Sequence, residues 1–170
     1  MKRLILFAAC LPFILASCHK ALVVTPDSGI SATINGKYET FNTRDTVRVN
    51  SASSIYISGT NDTTSDKIIL IIGSPSNITT ATYSSHSSNA SDLEMLFEEG
   101  PGYTYDNYYY TYDIHNGPTY EASVTVTSIS SANIQGTFNG SLVRESSVPD
   151  TAGTRPSRTI ANGKFNLKIK

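Results

Sequence analysis

Between Ala132 and Val143 the chain reads ANIQGTFNGSLV, and every second residue is apolar or glycine: Ile134, Gly136, Phe138, Gly140 and Leu142. A period of two is the signature of an extended chain, whose successive side chains point to opposite faces. The same beat recurs in YEASVTVTSI at Tyr120, Ala122, Val124 and Val126, and in SIYISGT at Ile55, Ile57 and Gly59. It returns in KFNLKI, with Phe165, Leu167 and Ile169 inward and Lys164, Lys168 and Lys170 on the other side. Glycine inside such a run marks a bulge or a close backbone approach. KIILIIG is apolar on both faces, which predicts a central, covered strand with Ile68, Leu70 and Ile72 among the most buried residues. ISATI and KYETF flank Asn35-Gly36, the strongest short hairpin signal, because a type I′ turn needs two positive φ angles. Together these runs predict an all-β fold: an antiparallel β-sandwich or short barrel of about 8–10 strands.

The composition agrees. Ser and Thr make up 43 of the 170 residues, so a quarter of the chain carries short hydroxyls suited to the wet side of a sheet. One segment admits two readings. SDLEMLFEEGPG has a capping box, Ser91 with Glu94, followed by Leu93, Leu96 and Phe97 at helical spacing and a Gly100-Pro101 stop. Its Leu93, Met95 and Phe97 also fit a strand, and its neighbours favour the strand. Two short echoes run through the chain: IYISGTN against ANIQGTFN, and INGKYETFN against ANGKFNLK. They are too short for a solenoid and fit two similar hairpins in one domain.

The N-terminus opens MKRLILFAACLPFILASCHK. Lys2 and Arg3 precede about 13 apolar residues, too few for a membrane-spanning helix of ~20 and the right length for a secretory signal. LASC resembles the lipobox of bacterial lipoproteins, which implies cleavage before Cys18 and a lipid on its sulfur. The expected organisation is a signal peptide over 1–17, a lipid-anchored tether over 18–29 and a single β-rich domain over 30–170. Cys10 would leave with the signal, so no disulfide is available and the core alone must hold the fold. A multiply acylated Cys18 anchors at ~0.8 kcal/mol per buried methylene, so the membrane is an expected partner through that residue. Without Lys2 and Arg3 the chain carries 11 basic against 14 acidic residues and no basic run, which argues against nucleic acid.

SATINGKYETFN, IYISGTN, ATYS, VTVTSISSANIQGTFNGSLV and TIANGKFNLKI resemble a family of Bacteroidota envelope lipoproteins with a small β-rich domain. The resemblance covers most of residues 30–60 and 119–170. It implies a domain closed by the Ile-x-Gly-Thr-Phe strand and a final Asn-Gly-x-Phe hairpin, in the cell envelope and at the outer membrane. It brings no activity, cofactor or site residue. Surface export in that group usually shows acidic residues soon after the cysteine; CHKALVV has none, which points to the periplasmic face.

The strongest compositional anomaly is GYTYDNYYYTYDIHNGPTY, which holds seven of the ten tyrosines. With a turn at Asp106-Asn107, Tyr108, Tyr110 and Tyr112 share one strand face and Tyr109 takes the other. Tyr103, Tyr105, Tyr108, Tyr110 and Tyr112 are therefore the candidate ligand-binding residues, an exposed patch suited to stacking on a glycan or gripping a protein. Cross-strand pairing and core filling is the competing use of the same rings. Asp45-Thr46, Asp62-Thr63 and Asp150-Thr151 resemble the acceptor used for O-glycosylation by Bacteroidota, with Thr46, Thr63 and Thr151 as the expected sites in loops or strand ends. No metal site, cofactor or catalytic residue is expected. His19, His86 and His115 are isolated, no calcium loop or nucleophile elbow is present, and Glu98 and Glu99 would face opposite sides of a strand. The expected function is non-catalytic binding of a glycan or envelope protein. A purely structural accessory subunit is the first rival; a hydrolase using His115 with Asp106 or Asp113 is the second.

Overall fold

Asn35 and Gly36 both take positive φ, 48° and 84°, and reverse the chain in two residues. The hairpin they make joins β1 (Gly29–Ile34) to β2 (Lys37–Thr40), with Ile34 paired to Lys37. The computed structural model describes residues 28–85, 93–102, 108–111, 121–144 and 156–169. Nine further strands follow the hairpin there: β3 (Thr43–Ser51), β4 (Ser54–Thr60), β5 (Lys67–Gly73), β6 (Thr82–Ser84), β7 (Leu93–Glu98), β8 (Tyr108–Tyr110), β9 (Ala122–Ile129), β10 (Asn133–Arg144) and β11 (Ser157–Lys168). Among the described residues there is no helix. The ambiguous LEMLFE segment is a strand, and β1 begins one residue before the expected domain start.

The pairing is antiparallel throughout, in the order β2-β1-β11-β10-β8-β7-β5-β4-β3. β2 and β3 end this path, yet only Phe41 and Asn42 separate them in the chain. Two residues cannot span a flat sheet of nine strands, so the sheet curls until its ends nearly meet. The result is one curled half-barrel, the barrel form of the expected all-β fold, with nine strands on the main path and β6 and β9 beside it. Phe41 seals the seam: its N–H donates to the Ile30 carbonyl at 2.8 Å and its ring lies edge-on to Phe97 at 6.4 Å.

β10 is the fork of the sheet. One of its edges pairs with β11 along its length; the other pairs with β9 from Ile134 to Gly140 and with β8 at Val143 and Arg144. β6 adds to β9. Between β10 and β11 the glycines explain the echoing motifs. Gly136 faces Phe165 and Phe138 faces Gly163 across the ladder, so each ring lies over a residue with no side chain. A Cβ on Gly136 would collide with the Phe165 ring and the Thr125 carbonyl; one on Gly163 would collide with the Phe138 ring. The two rings stack at 6.5 Å, the same device by which cross-strand aromatics cover sheet glycines.

The second Asn-Gly differs from the first. Asn162 takes φ 53°, but Gly163 does not take a positive φ, so the pair lacks what a type I′ turn requires. Asn162-Gly163 therefore makes no closing hairpin. It sits inside β11, where both flanking ladders slip by one residue, at Phe138/Gly140 on β10 and at Ser31/Thr33 on β1. This bulge changes which parity faces inward. After it Gly163, Phe165 and Leu167 are buried; before it Ile160 is buried and Arg158 is half-buried.

The main core lines the inside of the curl and includes Ile30, Phe41, Ile57, Leu70, Met95, Phe97, Tyr109, Val124, Phe138 and Phe165. Ile68, Leu70 and Ile72 are completely buried, and β5 is paired on both sides, by β4 and β7. A second cluster, Ile69, Leu96 and Tyr110, lies on the outer face with Tyr56 and Ile71 packed against it.

Candidate functional site

Outward residues of β3, β4, β5 and β7 stand in rows across the strands. Arg48, Tyr56, Ile71 and Glu94 make one row; Thr46, Ser58, Ile69, Leu96 and Tyr110 make the next; Thr60, Lys67 and Glu98 make the third, which continues in register to Tyr108. Strands lie about 4.8 Å apart, so Thr60 to Glu98 is a span of roughly 10 Å. A groove of about 790 Å³ lies over this face. Its floor is Arg48, Tyr56, Ser58, Thr60, Lys67 and Glu98.

Two connections form its walls. The β4–β5 turn is an Asx turn: the Asn61 Oδ1 accepts the N–H groups of Thr63 at 2.9 Å and Thr64 at 3.2 Å. The segment after β7 contributes Gly100, Pro101 and Gly102. The Asp66 carboxylate accepts the Gly100 N–H at 2.7 Å and ties one wall to the other. The turn is held from behind, since the Asn61 amide donates to buried Glu39, which also pairs with Lys37 at 3.0 Å. Both walls are thus fixed relative to the floor. Among the described residues, Arg48, Lys67 and Glu98 make no side-chain hydrogen bond or ion pair, so their polar ends are uncommitted. Burial pushes the Glu94 carboxyl above its ordinary pKa at the far end of the Arg48 row.

A different polar group sits on the inner side of the sheet. Arg158, aimed inward by the β11 bulge, holds both carboxylate oxygens of Glu99, with Nη2 at 2.8 Å from Oε2. Its guanidinium lies over the Tyr109 ring, 4.3 Å from the centroid. The bond to Glu99 raises the Arg158 pKa, while burial, and secondarily Glu99, raises that of the Tyr109 hydroxyl. The arrangement is a closed clasp: the cation is already matched by a bidentate carboxylate. As the strand reading predicts, Glu98 and Glu99 are on opposite faces, one in the groove and one in the clasp.

Tyr110 departs from expectation. It is buried, not exposed, because its outward ring meets Ile69 and Leu96 on an apolar part of the outer face. Tyr109 is buried in the main core. Tyr108 belongs to β8, but its side chain, like Tyr103, Tyr105 and Tyr112, lies outside the described residues. Thr46 is half-buried within β3, not in a loop or at a strand end, and lines the groove. Thr63 is exposed on the β4–β5 turn. Cys18, Thr151, His19, His86, His115, Asp106 and Asp113 lie outside the described residues. Among the described residues no three His, Cys, Asp or Glu side chains gather to hold a metal. The groove residues escape a reading of the sequence because each is an ordinary polar outward position, and only the register of four strands brings them together.

No protein-family model, curated protein or solved structure matches the chain.

Proposed function

We propose that this chain is a non-catalytic, lipid-anchored envelope protein of the Bacteroidota type, held at the outer membrane through Cys18, whose outer sheet face binds a glycan or an envelope protein. One observation carries the binding part: a groove with uncommitted polar side chains and pinned walls opens on the outer face, and its last wall residue, Gly102, leads directly into the tyrosine-rich stretch. A rigid, concave site with a few convergent polar groups is the usual form of a ligand pocket. The lipobox LASC supports the anchor.

The anchor is tested by Cys18→Ser, which should move the protein from membrane to soluble fractions or block its processing. Unchanged membrane partition refutes it. The binding part is tested by replacing Tyr103, Tyr105, Tyr108 and Tyr112 together with Ser, leaving the packed Tyr110 in place. Capture of envelope material should fall while the melting temperature holds. Capture that persists at the wild-type level removes the tyrosines from the site. Sugar on Thr46, Thr63 or Thr151 would appear as added intact mass in protein from its native host; the mass of the lipidated polypeptide alone rules it out.

A further inference from the structure

We propose that the outer-face groove is a saccharide site and that its ligand is a short neutral oligosaccharide. This deepens the binding reading above and rests on it.

The fold first removes the usual ways of holding a peptide. β4 is paired on one side by β3 and on the other by β5, and β5 is paired by β4 and β7. The backbone groups of β4 and β5 beneath the groove are therefore spent in ladders, so an extended peptide has no edge to join across the floor; the sheet edge lies to one side, at β3. A docked amphipathic helix needs an apolar trough, whereas this floor carries Arg48, Ser58, Thr60, Lys67 and Glu98. Recognition in this groove has to come from side chains.

The side chains present match a polyol. Each sugar hydroxyl both donates and accepts. Glu98 and Asp62 supply acceptors, Arg48 and Lys67 supply donors, and Ser58 and Thr60 supply both. The charges balance, two cations against two carboxylates, so the groove as a whole selects against a strongly anionic or cationic ligand. Lys67 and Glu98 are directly opposite across the β5–β7 ladder, yet neither forms an ion pair. A hydroxyl placed between them would accept from one and donate to the other. Tyr56 adds the remaining element: its ring lines the groove and is half-buried, which offers a flat apolar surface to the C–H face of a sugar ring. The volume, about 790 Å³, falls within the roughly 300–1,000 Å³ of small-molecule clefts. The fixed walls lower the ordering cost that weak sugar binding cannot easily absorb.

The test uses the full chain in detergent against short linear oligosaccharides of glucose, mannose, xylose and galactose. Sulfated and uronic-acid oligosaccharides and a pool of tryptic peptides serve as alternatives. The wild type should bind at least one neutral oligosaccharide. Arg48→Ala, at an exposed position, and the near-isosteric Glu98→Gln should each weaken that binding by about tenfold or more, at unchanged melting temperature. Saturation-transfer NMR on the wild type, independent of any substitution, should carry aromatic saturation onto sugar ring protons. The proposal is overturned if no neutral oligosaccharide binds, if affinity survives both substitutions, or if only the anionic sugars or the peptides bind. The two readings separate cleanly. If the four-tyrosine variant loses its partner while Arg48→Ala and Glu98→Gln keep it, the groove assignment fails and the binding protein stands. If Arg48→Ala and Glu98→Gln lose the oligosaccharide while the four-tyrosine variant keeps all its partners, the groove is upheld.

Discussion

The two wings that meet at β10 are built from the same alternation and use it differently. In the wing of β1, β11, β10 and β9, the inner face carries the buried apolar side chains, with Val143, beside Tyr110 at the β8 end of β10, as the outward exception. Phe138 and Phe165 interlock with Gly163 and Gly136, while Gln135, Thr137, Asn139, Lys164 and Lys168 stand outside in water. In the wing of β3, β4, β5, β7 and β8, both faces carry weight. Ile57, Leu70 and Phe97 fill the inside, and Ile69, Leu96 and Tyr110 make a second cluster outside, beside the polar groove. A sheet face left to solvent needs no such cluster. The contrast teaches that the same period-two pattern can leave a second face in water or bury part of it, depending on which residues the neighbouring strands bring alongside.

The comparison can be broken at several points. The largest effects should come from the inner face, and be of similar size in both wings. Phe165→Ala should cost about 3–5 kcal/mol and Leu70→Ala about 2–5 kcal/mol in urea unfolding. A loss under about 1 kcal/mol at either site, the range of ordinary surface changes, would show that its wing is not part of the common core. Arg158→Ala comes next, at about 1–3 kcal/mol, because it strips Glu99 of a charge-assisted pair and uncovers the Tyr109 ring. If Arg158→Lys restores nothing, the bidentate geometry matters; full rescue would reduce the clasp to a simple charge.

The outer faces should then diverge. Ile69→Thr should cost about 1–2 kcal/mol through lost apolar burial, and Thr137→Ala on the other wing should stay within about 0.5 kcal/mol. Equal effects would erase the distinction between the wings. The smallest expected effect is at Glu94. Its carboxyl pKa is raised by burial, so the folded state favours the protonated form. That contribution is present below the ordinary carboxylate range, ~4.3, and is lost as pH rises through the raised value. Much of the Glu94 side chain stays in water and its carboxyl is only partly desolvated, so Glu94→Gln should stabilise by only a few tenths of a kcal/mol at about pH 7, and the gain should vanish on acidification. A gain that grows at low pH would reverse the sign and the assignment.

Local features were the most legible part of the chain. Asn35-Gly36 announced its turn because two positive φ angles suit few other residue pairs. The apolar run at residues 68–72 announced a strand paired on both sides, and the alternation put Tyr109 and Tyr110 on opposite faces. What the alternation could not say is whether the second face is wet. Tyr110 is buried because Ile69 and Leu96 arrive beside it from β5 and β7, a fact of register rather than of local pattern. Asn162-Gly163 carries the same letters as the first turn, but a partner strand on each side turns it into a bulge instead of a reversal. Glu99 and Arg158 are 59 residues apart, and nothing at either position signals the other. The groove is the extreme case, since it depends on the stagger of four strands at once.

The pairing of the first strand with the last has a consequence for how the molecule is made. Residues 29–34 lie against residues 160–166, and among the described strands β11 is the one that the β1–β2 hairpin pairs with. Its inner face, Ile30, Ala32 and Ile34, therefore lacks its ladder neighbour until residues 157–168 have been made. Folding cannot finish segment by segment as synthesis proceeds. It waits on a closure spanning almost the whole domain, the slowest kind of contact for a chain to find. Until then a free β1–β2 edge and an uncovered aromatic interior are open to other chains, so a late truncation that deletes only β11 should trap the protein as an aggregate rather than leave a loosened version of the fold.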